Sequence, residues 1–161
     1  MLFSENDYKF MYSALQEAQK AFDADEVPIG AVIVHENKII SRGFNQTALL
    51  KDSTAHAEII AITSASAHLQ NKFLDNCNLY VTVEPCIMCC GAILLSRINT
   101  IYFGSFEPKF GASGSLYNIL EEAKYNHRPN VYNGIYASES KSLLENYFKT
   151  KRQNNNNYPI G

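Results

Sequence analysis

His56-Ala-Glu58 followed by Pro85-Cys86-Ile-Met-Cys89 obliges two segments far apart in the chain to meet at one point. One imidazole and two thiolates are ligand types of a zinc ion, so a fold that uses them together must bring both segments to a common centre. Three protein ligands leave the fourth tetrahedral vertex open, which is the arrangement of a catalytic zinc. A structural zinc needs a fourth protein ligand. Cys77, Cys90 and His127 are the side chains available for that competing reading.

Cys86 and Cys89 are three apart and share one face of a helix. Cys90, four from Cys86, meets the same geometric requirement. Helical spacing does not choose between Cys89 and Cys90; the C-x-x-C pattern selects Cys89. A helix beginning near Cys86 would favour thiolate over thiol through its unpaired backbone N–H groups. His56 and Glu58 are only two apart and would diverge inside a helix. They converge if His56 stands at the very end of the helix and Glu58 leans back toward the N-terminus. A capping box from Thr54 would need its acid at position 57, which is alanine, so Glu58 is left free for chemistry.

The 161 residues are 46% hydrophobic and 19% charged. That predicts one domain with its own core over 1–152, followed by a polar, flexible tail over 153–161. No apolar run approaches the ~18–20 residues of a membrane span. The opening Met-Leu-Phe-Ser-Glu-Asn-Asp is acidic and lacks the flanks of a signal peptide. No membrane association and a cytoplasmic location are the expectation. Three of the four cysteines crowd into Cys86–Cys90, a pattern of metal ligands and not of a disulfide framework.

The net charge of −2 is unevenly spread. Residues 1–85 carry 6 basic and 11 acidic side chains, and residues 86–161 carry 8 and 5. A nucleic-acid partner would be steered to the second half, where Lys149, Lys151 and Arg152 lie close together. A solvated, charge-mixed helix is the competing reading of the same charges.

Periodicity places the motifs. Phe10, Ala14, Leu15, Ala18, Ala21 and Phe22 recur at helical spacing and predict a helix over 5–22. The runs 30–35 and 38–43 flank Glu36-Asn37 as a β-hairpin. A helix over 55–68 is expected to be N-capped by Thr54. A strand over 79–83 leads to a helix over 86–96 with Pro85 at its first turn. A strand at 100–103, a loop over 104–115, a weaker strand near 131–136 and a helix over 138–152 complete the chain. The fold class is α/β: a three-layer α/β/α sandwich with a mixed, roughly five-stranded sheet. Both halves of the motif then fall at helix N-termini.

Thr54-Ala-His-Ala-Glu-Ile together with Val83-Glu-Pro-Cys-Ile-Met-Cys89 closely resembles the bacterial tRNA-specific adenosine deaminases, of the cytidine deaminase-like superfamily. Val27-Pro-Ile-Gly-Ala31, Gly43-Phe-Asn45, Gly91-Ala-Ile, Ser96-Arg-Ile98, Gly114-Ser-Leu116 and Asn126-His-Arg128 extend the resemblance over roughly 5–152. It implies a cytidine deaminase-like homodimer with one Zn²⁺ per subunit on His56, Cys86 and Cys89. It implies hydrolytic conversion of adenosine to inosine at the wobble position of a tRNA anticodon loop, with release of ammonia. Glu58 would be the proton shuttle, and Asn45 would hydrogen-bond the flipped-out base. Without the resemblance Asn45 reads as a turn residue.

By the same resemblance Glu107, Pro108 and Lys109 would form a loop that contacts the anticodon nucleotides. Phe106 and Phe110 flank it, either stacking on splayed bases or pinning the loop to the body. His127 and Arg128 would meet phosphate or hold a loop network, and Lys149, Lys151 and Arg152 would position phosphates. Two rivals stand. A guanine or other free-nucleobase deaminase shares the zinc ligands and needs no RNA surface. A non-catalytic, zinc-stabilised RNA-binding module would close the metal with a fourth ligand.

Overall fold

Ser4 and Asp7 cap each other at the start of the chain: the Asp7 N–H donates to Ser4 Oγ at 3.1 Å and the Ser4 N–H to Asp7 Oδ2 at 2.8 Å. The helix they open, α1 (Glu5–Asp23), is the first element of a computed structural model that describes residues 2–122 and 124–156. Next come β1 (Gly30–His35), β2 (Lys38–Phe44), α2 (Thr47–Leu50) and α3 (Ala57–Leu69). The chain continues through β3 (Cys77–Val83), α4 (Ile87–Ser96), β4 (Thr100–Ser105), a 3-10 turn at Ile119–Glu121, β5 (Asn130–Asn133) and α5 (Ala137–Asn156).

The sheet order is β2-β1-β3-β4-β5. β1 pairs antiparallel with β2 and β3, whereas β3, β4 and β5 are mutually parallel, giving the expected five-stranded mixed sheet. Glu36 and Asn37 join β1 to β2 with φ of 48° and 62°, the positive pair of a two-residue hairpin turn. Strand alternation sorts the core onto two faces. Ala31, Ile33, Leu79, Val81, Ile101 and Phe103 pack with α3 and α4 residues such as Ala61 and Ile93. Val32, Val34 and Tyr80 pack with Met11 and Ala14 of α1 and with Ile135 before α5. The result is three layers. Gly43 lets α3 lie directly on β2, since a Cβ there would sit 2.4 Å from the Ala57 carbonyl oxygen.

Several boundaries differ from the sequence-based expectation. Thr54 is not the cap of α3: its N–H and hydroxyl both donate to Asp52 Oδ1, closing a local turn, and His56 takes the N-cap position. Pro85 likewise precedes the cap of α4, which is Cys86. The four-residue α2 is too short to leave a periodic signal. It forms because the buried Glu26 carboxylate accepts the N–H groups of Ala48 at 3.2 Å and Leu49 at 2.6 Å. β5 ends at Asn133 and not at Tyr136, whose φ of 53° lies outside the strand region. At the other end, α5 carries its hydrogen-bond ladder through Gln153-Asn-Asn-Asn156, residues expected in the flexible tail, because each added residue extends a helix already held by packing. The remainder of that tail lies outside the described residues.

Candidate metal centre and cleft

The site opens at the carboxyl ends of the parallel strands β3, β4 and β5, where ligands of α/β folds gather. His56 ends an extended segment with φ −74° and ψ 152° and caps α3. It therefore does not follow the helical rotation that would turn it away from Glu58. Cys86 is extended in the same way, with φ −75° and ψ 176°, and caps α4, while Cys89 sits in that helix's first turn. Two helix N-termini thus present their first residues to one centre.

The Cys86 and Cys89 sulfurs lie 3.5 and 3.6 Å from His56 Nδ1. All three ligand atoms fall within 4.8 Å of one another. Zn–S and Zn–N bonds of about 2.3 and 2.0–2.1 Å at a tetrahedral angle require S···N edges of about 3.6 Å, so the trio fits that ion. The Cys89 thiol donates to Cys86 and, against the effect of burial, pulls the Cys86 thiol down to about 4, with His56 adding to the shift. The same pairing and burial push Cys89 up. His56 is raised mainly by its contact with Cys86. A group that holds thiolate character at neutral pH is prepared for a cation.

Glu58 is 4% exposed. Burial raises its pKa, and its own backbone N–H and the Cys89 thiol offset only part of that effect. Among the described residues no fourth His, Cys, Asp or Glu joins the trio. Cys90 points into the core, donating to the Pro85 carbonyl at 3.7 Å, and burial pushes it up to about 12. His127 Nε2 is 2.6 Å from the Ile98 carbonyl oxygen, and Cys77 is buried beside His35. Among the described residues Cys89, and not Cys90, is gathered with His56 and Cys86.

Residues 4–105 match the family described as the cytidine and deoxycytidylate deaminase zinc-binding region. A tRNA-specific adenosine deaminase of Aquifex aeolicus is 46% identical over 145 residues, covering 90% of this chain and 95% of that protein. One from Bacillus subtilis is 42% identical, covering 91% of each. The chain belongs to the tRNA-specific adenosine deaminase family. A solved structure from work on A-to-I editing by tRNA:A34 deaminases superposes with a TM-score of 0.82 at 45% identity, covering 84% of this chain and 99% of that one. A guanine deaminase from Nitrosomonas europaea superposes with a TM-score of 0.75 at 25% identity, over 87% and 83%. The fold is thus that of the cytidine deaminase-like enzymes.

In this deaminase a cleft of about 1660 Å³ runs from the metal centre along α5. Asn45, Glu107, Lys109, Lys151 and Arg152 line it together with His56, Glu58 and Cys86. Asn45 is 6% exposed; its Nδ2 donates to the Val27 carbonyl at 3.3 Å, and its Oδ1 has no hydrogen-bond partner among the described residues. Lys151 is held by Asp25 at 2.7 Å. His127, Arg128 and Lys149 do not line the cleft. Arg128 Nη2 donates to the Glu121 carbonyl at 2.9 Å, so it and His127 brace a loop. Phe106 rests edge-on against Phe103 at 5.2 Å and is half exposed, whereas Phe110 is 71% exposed.

Lys51, Lys141 and Glu84 of the cleft, and Glu26 outside its lining, were not singled out from the sequence. Lys51 and Lys141 line the walls, and their isolated charges carry no local pattern. Glu26 and Glu84 are buried carboxylates. An acid directly after the apolar run Leu79–Val83 is a usable signal, because a buried carboxylate must find donors.

Proposed function

We propose that this protein is a zinc-dependent deaminase that converts adenosine to inosine at the wobble position of a tRNA anticodon loop, in the cytoplasm, releasing ammonia. The observation that carries this reading is an open His56–Cys86–Cys89 group beside buried Glu58, at the end of a cleft far larger than a free base requires. Small-molecule sites are typically ~300–1,000 Å³, and this cleft extends past Lys51, Lys109 and Lys141 to Arg152. A cleft of that length suits a substrate larger than a free purine, and its lysines and Arg152 offer partners for phosphates.

His56, Cys86 and Cys89 would hold one zinc ion per subunit, which when bound supplies a water activated near neutral pH. Glu58 holds a proton readily because burial raises its pKa. It takes a proton from the attacking water and delivers it to a ring nitrogen of the base, then relays the water's second proton to the departing amine, which leaves as ammonia. The unpaired Oδ1 of Asn45 accepts an N–H of the extruded base, which also satisfies a buried polar atom. Phe106, seated on Phe103, supports the loop, and the exposed Phe110 stacks on a splayed base.

A homodimer is part of this reading. Ile87, Gly91 and Leu95 form one stripe of α4; Ile87 and Leu95 are 60% and 80% exposed, and a side chain at Gly91 would meet open space. The test is mass spectrometry of tRNA treated with purified protein. Replacement of amine by carbonyl at the wobble nucleotide is the expected outcome. Ammonia released from guanine and none from an anticodon stem-loop would establish the free-base rival instead.

A further inference from the structure

Glu84 lies at the seam between the ligand-bearing helix and the loop that follows β4, and the chemistry above gives it no task. It directly follows Val83 at the end of β3 and is two residues before the ligand Cys86. It is 4% exposed, yet its carboxylate is fully partnered. Oε1 accepts the Glu107 N–H at 3.0 Å and the Ser115 hydroxyl. Oε2 accepts the N–H groups of Ser113 and Ser115, each at 3.0 Å. Every donor comes from the loop, and three of the four are backbone groups.

Those anchor points bracket the cleft-lining residues Glu107–Phe110. The Glu84 N–H also donates to the Ser105 carbonyl, and the Ala112 N–H to the Pro85 carbonyl, both at 2.9 Å. Cys86 itself pairs with Gly111 in an isolated antiparallel bridge. Gly111 lets the loop pass directly across the carboxylate, since a Cβ there would fall 2.2 Å from Glu84 Cδ. One buried side chain therefore ties the loop to the strand end that delivers a metal ligand.

From this geometry we infer that Glu84 is a positioning residue, clasping the 105–115 loop so that Glu107–Phe110 stand at a fixed height over the metal centre. The clasp rests on the hydrogen bonds alone; its effect on substrate rests on the RNA-facing reading of the loop. A glutamine at 84 keeps the shape but turns an NH₂ group toward at least one N–H donor, so the clasp opens without a large cavity.

The experiment uses the zinc-loaded protein carrying Glu84→Gln, with Ser115→Ala as a milder variant that removes one donor and keeps the carboxylate. Zinc content, amide hydrogen exchange at Glu107, Ser113 and Ser115, and KM and kcat on an anticodon stem-loop are measured. For Glu84→Gln the expected result is unchanged zinc, at least about tenfold faster exchange at those amides, and KM raised about tenfold with a smaller change in kcat, the scale of one lost charge-assisted hydrogen bond. Ser115→Ala moves exchange and KM the same way by less. Gly111→Ala, which drives a methyl group at the carboxylate, reproduces the KM signature. Unchanged exchange in both Glu84→Gln and Ser115→Ala would overturn the clasp. So would lost zinc with a collapsed kcat at constant KM, which would place Glu84 in service of the metal helix. A wild-type protein inactive on the stem-loop counts against the RNA reading, and exchange alone then decides the clasp.

Discussion

Glu58 shares a centre with His56, two residues away, because His56 caps α3 in an extended conformation and does not enter the helix. Replacing Glu58 with alanine is expected to leave zinc content intact while turnover falls about 10²–10⁴-fold, the usual contribution of a positioned acid–base group. Metal analysis alongside ammonia release checks both halves; substantial residual turnover removes Glu58 from the proton path. Asn45 carries a buried Oδ1 that accepts no hydrogen bond among the described residues, so it is available to an N–H of the base. Asn45→Ala is expected to raise KM on RNA about tenfold, the value of one hydrogen bond, and to melt somewhat below wild type because the Nδ2 bond to the Val27 carbonyl is lost as well. At this scale the metal site was legible from sequence because ligand chemistry is carried by side chains in two compact motifs. Glu84 was not, because backbone N–H groups are its main partners and every residue type but proline has one. The charge of His127 and Arg128 is visible in sequence, whereas the Ile98 and Glu121 carbonyls that they meet are not.

The element that opens the fold depends on an acid at its start. Burial alone would raise the Asp7 pKa, but hydrogen bonds from the Tyr80 hydroxyl and from Ser4 outweigh it and hold the carboxyl below its ordinary 3.8. A carboxyl with a folded-state pKa lower than its unfolded one stabilises the protein above the ordinary value, and that stabilisation is lost as pH falls through the folded value. Asp7→Ala is accordingly expected to cost about 1–2 kcal/mol at neutral pH, the range of a lost N-cap. Thermal melts of both proteins should converge as pH is lowered beneath 3.8. A gap that persists in acid would mean that lost packing, and not the carboxylate, sets the difference. Long periodic elements such as α1 and the hairpin were readable because each writes its own period into the sequence. The cap of α3 was misread because Thr54 has a nearer partner in Asp52, and α2 was missed because its donors are met by Glu26, far away in sequence.

Across the whole molecule, charge and surface decide what the cleft meets. Arg152 lines the cleft and Lys149, three residues earlier on the same helix, does not. RNA affinity measured against salt is expected to lose about one phosphate's worth of slope in Arg152→Ala, and none in Lys149→Ala. Equal slopes for the two variants would detach α5 from the RNA path. The exposed stripe on α4 has a different consequence. Ile87 belongs both to that stripe and to the lining of the cleft, and stands between the two cysteine ligands in sequence. A neighbour docked on α4 would therefore shape the mouth of the very chamber where the base is held, making self-association and catalysis share a residue. Specific activity should then fall as the enzyme is diluted through its dissociation range, with zinc still in place, and rise again when unlabelled protein is added back.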